Sequence, residues 1–279
     1  MTIAGVIVPA LFAGLVAIAV TVAIERFGGR VGGLLGTLPT TIVPAALGIY
    51  ANSDNVDAFV QSMGAVPAGM LIDIWFLYLW RWLPPRLPLD GLGSRLSAMI
   101  VLSLLGWSAV AGIVVIGMDQ LRSVGVDLLM VGVGVAVMSL IMGAAACLRA
   151  PPAPSGSRSV GLSTVLARGL LAAVAIGVAV TLAAVGGPLA AGMASVFPAI
   201  FLTTMVSLWL SQGEAVQAGA VGPMMLGASS VSAYALLCAW SLPALGAALG
   251  SAVAWVLAVV TVTVPAWWWL GRRTKTAPR

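Results

Sequence analysis

Long apolar runs separated by short polar breaks set the pattern of this chain. Nine runs lie at 3–24, 31–51, 60–82, 95–117, 124–148, 161–185, 188–211, 216–241 and 244–270. Each has about the 20 residues needed to cross roughly 30 Å of bilayer hydrocarbon as a helix. The breaks hold residues that a bilayer refuses. Glu25, Arg26 and Arg30 part the first two runs, and Ser53, Asp54, Asn55 and Asp57 part the next two. Pro84, Pro85, Arg86, Pro88, Asp90 and Arg95 form a longer polar turn, and Asp119, Arg122 and Asp127 follow the fourth run. Arg149 to Arg158, with Pro151, Pro152 and Pro154, reads as a linker. Later breaks are slighter: Gly186-Gly187-Pro188, then Gln212, Gly213 and Glu214, then Ser241-Leu242-Pro243. Strands of a membrane barrel would be about 10 residues long and would alternate polar with apolar. These runs are longer and apolar all round, so the pattern predicts an all-α, polytopic bundle of nine transmembrane helices.

Composition sharpens that reading. Of the 279 residues, 61% are hydrophobic and 8% charged. A soluble domain carries about 25% charged residues, so a soluble enzyme, a nucleic-acid binder and a disordered chain are excluded. The chain has no His, which removes the commonest general base and metal ligand. No phosphate-binding Gly-x-x-x-x-Gly-Lys-Ser/Thr loop is present. Cys147 and Cys238 stand far apart in apolar runs and read as small buried hydrophobes. No enzymatic activity, cofactor or metal is expected.

Charge sets the expected orientation. The first run has no basic residue before it and Arg26 and Arg30 after it, the reverse of a signal peptide's order. It reads as a retained helix with its N-terminus outside. Nine spans then place 25–30, 81–95, 149–168, 211–215 and 271–279 inside, and these hold all of the 13 Lys and Arg except Arg122. Positive residues collect on the cytoplasmic side, so the segregation supports nine spans with the C-terminus inside. Trp267, Trp268 and Trp269 beside Arg272 and Arg273, and Trp80 and Trp82 beside Arg81, read as interfacial belts.

Two segments resemble each other. One is Gly28-Gly29-Arg30-Val31-Gly32-Gly33-Leu34-Leu35-Gly36-Thr37-Leu38-Pro39-Thr40-Thr41. The other is Gly186-Gly187-Pro188-Leu189-Ala190-Ala191-Gly192-Met193-Ala194-Ser195-Val196-Phe197-Pro198. The glycine pairs lie 158 residues apart, as do Ser53 and Ser211; Pro39 and Pro198 lie 159 apart, as do Pro84 and Pro243. Five spans separate equivalent points, and an odd number reverses orientation. The expected plan is therefore an inverted 4+1+4 repeat. Its parts are a first four-helix unit (1–118), a linking helix with a cytoplasmic linker (119–158), and a second, inverted unit with a basic tail (159–279). Compositional coincidence in Ala/Gly-rich helices is the competing explanation.

Leu38-Pro39-Thr40-Thr41, Phe197-Pro198 and the run Trp75 to Trp82 carry a further likeness. With them, each four-span half resembles the small bacterial inner-membrane proteins of the GlpM-like family. The resemblance implies the architecture and a cytoplasmic-membrane location, and supplies no substrate. The 4+1+4 plan is also similar to that of fused fluoride channels. The chain lacks their Asn-rich, Phe-lined pore, since its asparagines are Asn52 and Asn55.

Few residues could carry chemistry. Asp73 is the one acidic residue well inside a run. A carboxyl at membrane depth faces protein or water and is a functional candidate by default. It reads either as an H⁺- or cation-coupling group or as a helix-joining group bonded to Ser or Thr. Its counterpart in the second half is Ser232, within Ser229, Ser230, Ser232 and Tyr234. These read as a polar cavity wall or as helix packing with interhelical hydrogen bonds. Pro39 and Pro198 break their helices and free backbone carbonyls. Thr37, Thr40 and Thr41 in one half, and Ser195, Thr203 and Thr204 in the other, could satisfy those carbonyls or turn toward a ligand. Broken helices of this kind supply backbone groups to substrates in inverted-repeat transporters.

The expectation is a secondary transporter or channel-like permease for a small or weakly polar solute, coupled to H⁺ or a cation through Asp73. The alternatives are a non-transporting scaffold or accessory subunit, and a lipid-flipping protein. The expected partners are the lipid bilayer, a small solute or ion, and a second copy of the chain as a homodimer. No nucleic-acid partner is expected.

Overall fold

The computed structural model describes residues 6–15, 18–19, 38–40, 42–149, 161–185, 192, 195–212 and 214–276. Every regular element among them is helical. In chain order these are α1 (Val6–Leu15), α2 (Ile42–Asn52), α3 (Val56–Trp82), α4 (Leu92–Ser123), α5 (Leu128–Leu148) and α6 (Leu162–Val185). There follow α7 (Ala199–Gln212), α8 (Glu214–Leu245), α9 (Ala247–Ala258) and α10 (Val264–Thr276). A π-helical turn, Val259–Thr263, joins the last two into one rod. Five of these stretches are long and apolar enough to cross a membrane: α3, α4, α5, Ala218–Leu245 of α8, and Ala247–Arg272.

The polar breaks act as helix caps. Asn55 has extended backbone and its side chain accepts from the Ala58 N–H at 2.8 Å. Asp127 does the same for the Leu129 N–H at 2.8 Å. Each satisfies an orphan donor at a helix start. The capping positions move some boundaries away from the apolar pattern. α3 begins at Val56 rather than 60, and α4 continues to Ser123 rather than 117. The break expected at Ser241-Leu242-Pro243 lies further on. α8 runs through Pro243 to Leu245, and Gly246 makes the turn with φ +79°. Proline near a helix end removes one bond without stopping the coil, whereas the left-handed turn needs glycine. The two runs expected at 31–51 and 188–211 are described only as α2 and α7, each starting just beyond a proline.

Two helices form the centre. α3 and α8 are the most buried, and they carry Phe59, Met63, Ile72, Phe76, Trp80 and Tyr234 into one core with Trp209 of α7. Trp80 and Trp209 meet edge to face at 6.0 Å. α5 lies in the groove between them, and glycine makes the approach close. A Cβ on Gly132 would strike the Gly64 carbonyl of α3 and the Leu236 side chain of α8, and one on Gly143 would strike the Leu226 backbone. Gly222 of α8 likewise sits against Ala146. Small residues permit such contact where lipid offers no hydrophobic drive between helices.

These contacts also give direction. Along α5, Gly64 of α3 lies near Leu128 and Gly132, and Arg81 of α3 reaches Ala146. α3 and α5 therefore run parallel. Leu236 of α8 lies near Gly132 and Gly222 near Ala146. α8 therefore runs antiparallel to both. α4 and α5 expose large apolar side chains outward, among them Leu105, Ile113, Ile116, Met130 and Ile141.

Candidate functional site

α3 carries Asp73 into the interior, where the residue is 1% exposed. Its neighbours along α3 are Ile72 and Ile74, both buried. An ionisable group in such surroundings needs a polar partner. The partner is Trp107 on α4, whose indole N–H donates to Asp73 Oδ1 at 2.7 Å. A Ser or Thr partner was the expectation for a structural Asp73, and the structure supplies an indole instead. Indole is a donor only, so it matches a carboxyl oxygen and cannot bridge onward as a hydroxyl would.

Trp107 has a second neighbour. Its ring meets Phe197 edge to face, with centroids 5.3 Å apart and planes at 78°. Phe197 is the residue before Pro198, at the break that starts α7. Asp73, Trp107 and the Phe197-Pro198 break are thus one contiguous unit drawn from α3, α4 and the start of α7. Gly192, ahead of the break, is seated on α3 as well, since a Cβ there would collide with the Ser62 carbonyl.

The two proline breaks share one local geometry. Thr40 N donates to Leu38 O at 2.8 Å, across Pro39. Ala199 N donates to Phe197 O at 2.7 Å, across Pro198. Each proline therefore centres a γ-type turn, with its fixed φ at the middle position. Each turn leads directly into a short helix. α2 packs chiefly on α6 and also on α3, α8 and α9, and α7 packs chiefly on α6 and α8 and also on α4 and α3.

The hydroxyls near Pro198 stay local. Ser195 Oγ donates to Gly192 O at 2.6 Å, and Thr203 Oγ1 donates to Ala199 O at 2.8 Å. Thr204 is half-buried, as is Thr40 beside the buried Pro39. Thr37 and Thr41 lie outside the described residues.

Ser229, Ser230, Ser232 and Tyr234 are all buried in α8. They do not act as one wall. Ser230 Oγ donates to its own helix at Gly227 O, 2.8 Å away. The Tyr234 hydroxyl pairs with Ser251 Oγ of α9 at 2.8 Å. The hydroxyls of Ser229 and Ser232 are buried and have no hydrogen-bond partner. The group splits between self-bonding, α9 pairing and unsatisfied donors. A surface cleft of about 270 Å³ is lined instead by Val8, Pro9, Phe12, Pro44, Leu47, Gly48 and Ala51, all apolar.

Trp107 is the partner of Asp73 that sequence reasoning missed. Its signal was position: a tryptophan at mid-span, away from the interfaces where tryptophan normally sits. Among the described residues no group of three or more His, Cys, Asp or Glu could hold a metal ion. No protein-family model, curated protein or solved structure matches the chain.

Proposed function

We propose that the chain is a multi-pass transporter or permease of a cytoplasmic membrane. In this reading it has nine spans in an inverted 4+1+4 repeat, its N-terminus outside and its C-terminus inside. The observation that carries the reading is the Asp73–Trp107–Phe197 unit. A buried carboxyl is tied there through one indole to a broken helix. Intramembrane carboxyls and helices broken near mid-membrane are the parts from which coupled transporters are built.

The antiparallel course of α3 and α8 supports the inversion, as do the matching turns at Pro39 and Pro198. The linking helix is α5. The substrate class is a small neutral or weakly polar solute moving with H⁺ or a cation, because among the described residues the surroundings of Asp73 offer no second charge to bind a highly charged one. Asp73 is the coupling group, and Pro39 and Pro198 mark the substrate path.

The test uses purified protein in liposomes loaded with a pH-sensitive dye, under a pH gradient and with a panel of small weakly polar solutes added outside. At least one solute is expected to speed collapse of the gradient, and Asp73→Asn is expected to abolish that effect while leaving the helical content intact. Solute-driven collapse unchanged in Asp73→Asn removes Asp73 from coupling. No effect of any solute on the wild type favours the alternative, a membrane scaffold or accessory subunit, for which the wide apolar faces of α4 and α5 provide the packing surface.

A further inference from the structure

Two arginines join the halves at one end of the bundle. Arg81, in the last turn of α3, donates through Nη1 to Ala146 O at 3.1 Å and through Nε to Ala218 O at 3.2 Å. Ala146 lies in the last turn of α5, where carbonyls lack helical partners and carry the negative end of the helix dipole. Ala218 lies near the start of α8. One guanidinium therefore holds the ends of three helices. The rigid fork of arginine suits this use, since it presents several donors in fixed directions.

Arg95 acts beside it. It lies in the first turn of α4, and its Nη2 donates to Pro84 O at 2.7 Å and pairs with Glu214 Oε2 at 3.2 Å. Glu214 opens α8, one turn before Ala218. The polar turn 84–95, the end of α5 and the start of α8 thus converge at a single end. The opposite end, where α3 and α5 begin, is built differently: Gly64 lies directly on Leu128 and Leu129 there.

We infer that Arg81 and Arg95 form a latch that holds this arginine-rich end closed between the two halves. The inference deepens the transport reading, because a path between inverted halves opens toward one side only if the contacts closing that side break. The latch itself is a geometric claim and is tested without any transported solute. Its carbonyl bonds and one ion pair are a set that water can replace when the end opens. Trp80, the residue before Arg81, meets Trp209 of α7 at this same end, so that ring contact is part of what closes it.

The chain carries its own reporter. Cys147 follows the carbonyl that Arg81 holds and is half-buried, while Cys238 is fully buried in α8. The experiment measures labelling of both cysteines in the purified full chain in detergent, by a maleimide, with mass spectrometry assigning the site. Arg81→Gln is expected to raise the Cys147 labelling rate about ten-fold, the worth of a charged hydrogen bond lost. Arg95→Ala is expected to raise it about three-fold, since that pair is part-exposed and water-screened. The swap Arg95→Glu with Glu214→Arg is expected to bring the rate part of the way back from that of Arg95→Ala, since it restores the ion pair and not the bond to Pro84 O. Cys238 is expected to stay unlabelled throughout, which separates opening from unfolding. Unchanged Cys147 labelling in Arg81→Gln and Arg95→Ala overturns the latch. So does a rise in both cysteines together that the charge swap fails to lower. A labelling pattern as expected with no solute transport would keep the latch and reject the transport reading.

Discussion

The indole N–H of Trp107 points at a carboxyl oxygen of Asp73 from 2.7 Å, inside a bundle where both residues are more than nine-tenths buried. Neither partner is cheap to lose alone. Removing the donor leaves a buried carboxyl unsatisfied, and removing the carboxyl leaves a buried N–H unsatisfied. Trp107→Phe keeps the ring against Phe197 and deletes only the donor. Its cost is expected at about 1–3 kcal/mol, read as a loss of thermal stability in detergent. The double variant Trp107→Phe with Asp73→Leu is expected to recover part of that loss. Strictly additive effects in the cycle would show that the two residues do not interact.

Packing of α5 rests on glycine, and the surroundings of each glycine decide its tolerance. Gly132→Val puts side-chain atoms into the Gly64 carbonyl and is expected to cost about 2 kcal/mol or more. Gly134 has nothing within 4 Å of an added Cβ, so Gly134→Ala is expected to be neutral or slightly stabilising through better helix propensity. Fluorescence-detected size-exclusion profiles after a heating series compare the two. Equal behaviour would mean that α5 does not sit in the groove between α3 and α8.

The bond between Tyr234 and Ser251 ties α8 to α9 in a dry setting. Tyr234→Phe removes both the hydroxyl and its need for a partner, and the expected loss is about 1 kcal/mol. Ser251→Ala leaves the phenol with only the weak thiol of Cys238 as a partner, and the expected loss is somewhat larger. Chemical unfolding followed by tryptophan fluorescence ranks them. The reverse ranking would place the hydroxyl pair outside the packed interior.

Orientation has a direct check. The Asn55 cap and the Arg81 latch lie at opposite ends of α3. A periplasmic-active reporter inserted beside Asp54 is expected to be active, and one fused after Arg279 inactive, with a cytoplasm-active reporter giving the converse. Both sites reporting the same side would remove the nine-span orientation.

Much of the helical plan is legible in the residues because lipid leaves the backbone no other choice. An apolar run of 20 or more residues can only be a helix there, since each N–H and C=O must be satisfied within the segment. That is why Val56–Trp82, Leu92–Ser123 and Leu128–Leu148 follow the apolar pattern closely. Helices end within the polar clusters at Ser53–Asp57 and Asp119–Asp127, where Asn55 and Asp127 cap the next helices, although α4 carries Asp119 and Arg122 and the turn comes at Gly125. Asp73 stands out because charge at that depth needs cause. Pro39 and Pro198 mark where helices restart, whereas Pro67, Pro223 and Pro243 lie within continuous helices.

Tertiary structure alone decides which of these features meet. The apolar pattern is nearly uniform around each helix, so it does not say that α3 and α8 are central while α4 and α5 face outward. Trp107 looks like any large apolar residue until α4 packs on α3 and brings its N–H to Asp73. Ser229, Ser230, Ser232 and Tyr234 share a stretch of sequence yet part company, because a hydroxyl turns to its own helix or to a neighbour according to what the neighbour offers. Arg81 reads as one positive charge at a membrane edge; only the convergence of three helix ends supplies the carbonyls that make it a joint. Spacing along a helix determines which residues share a face, and the contact between faces is set by the shapes that glycine and bulky side chains present to one another.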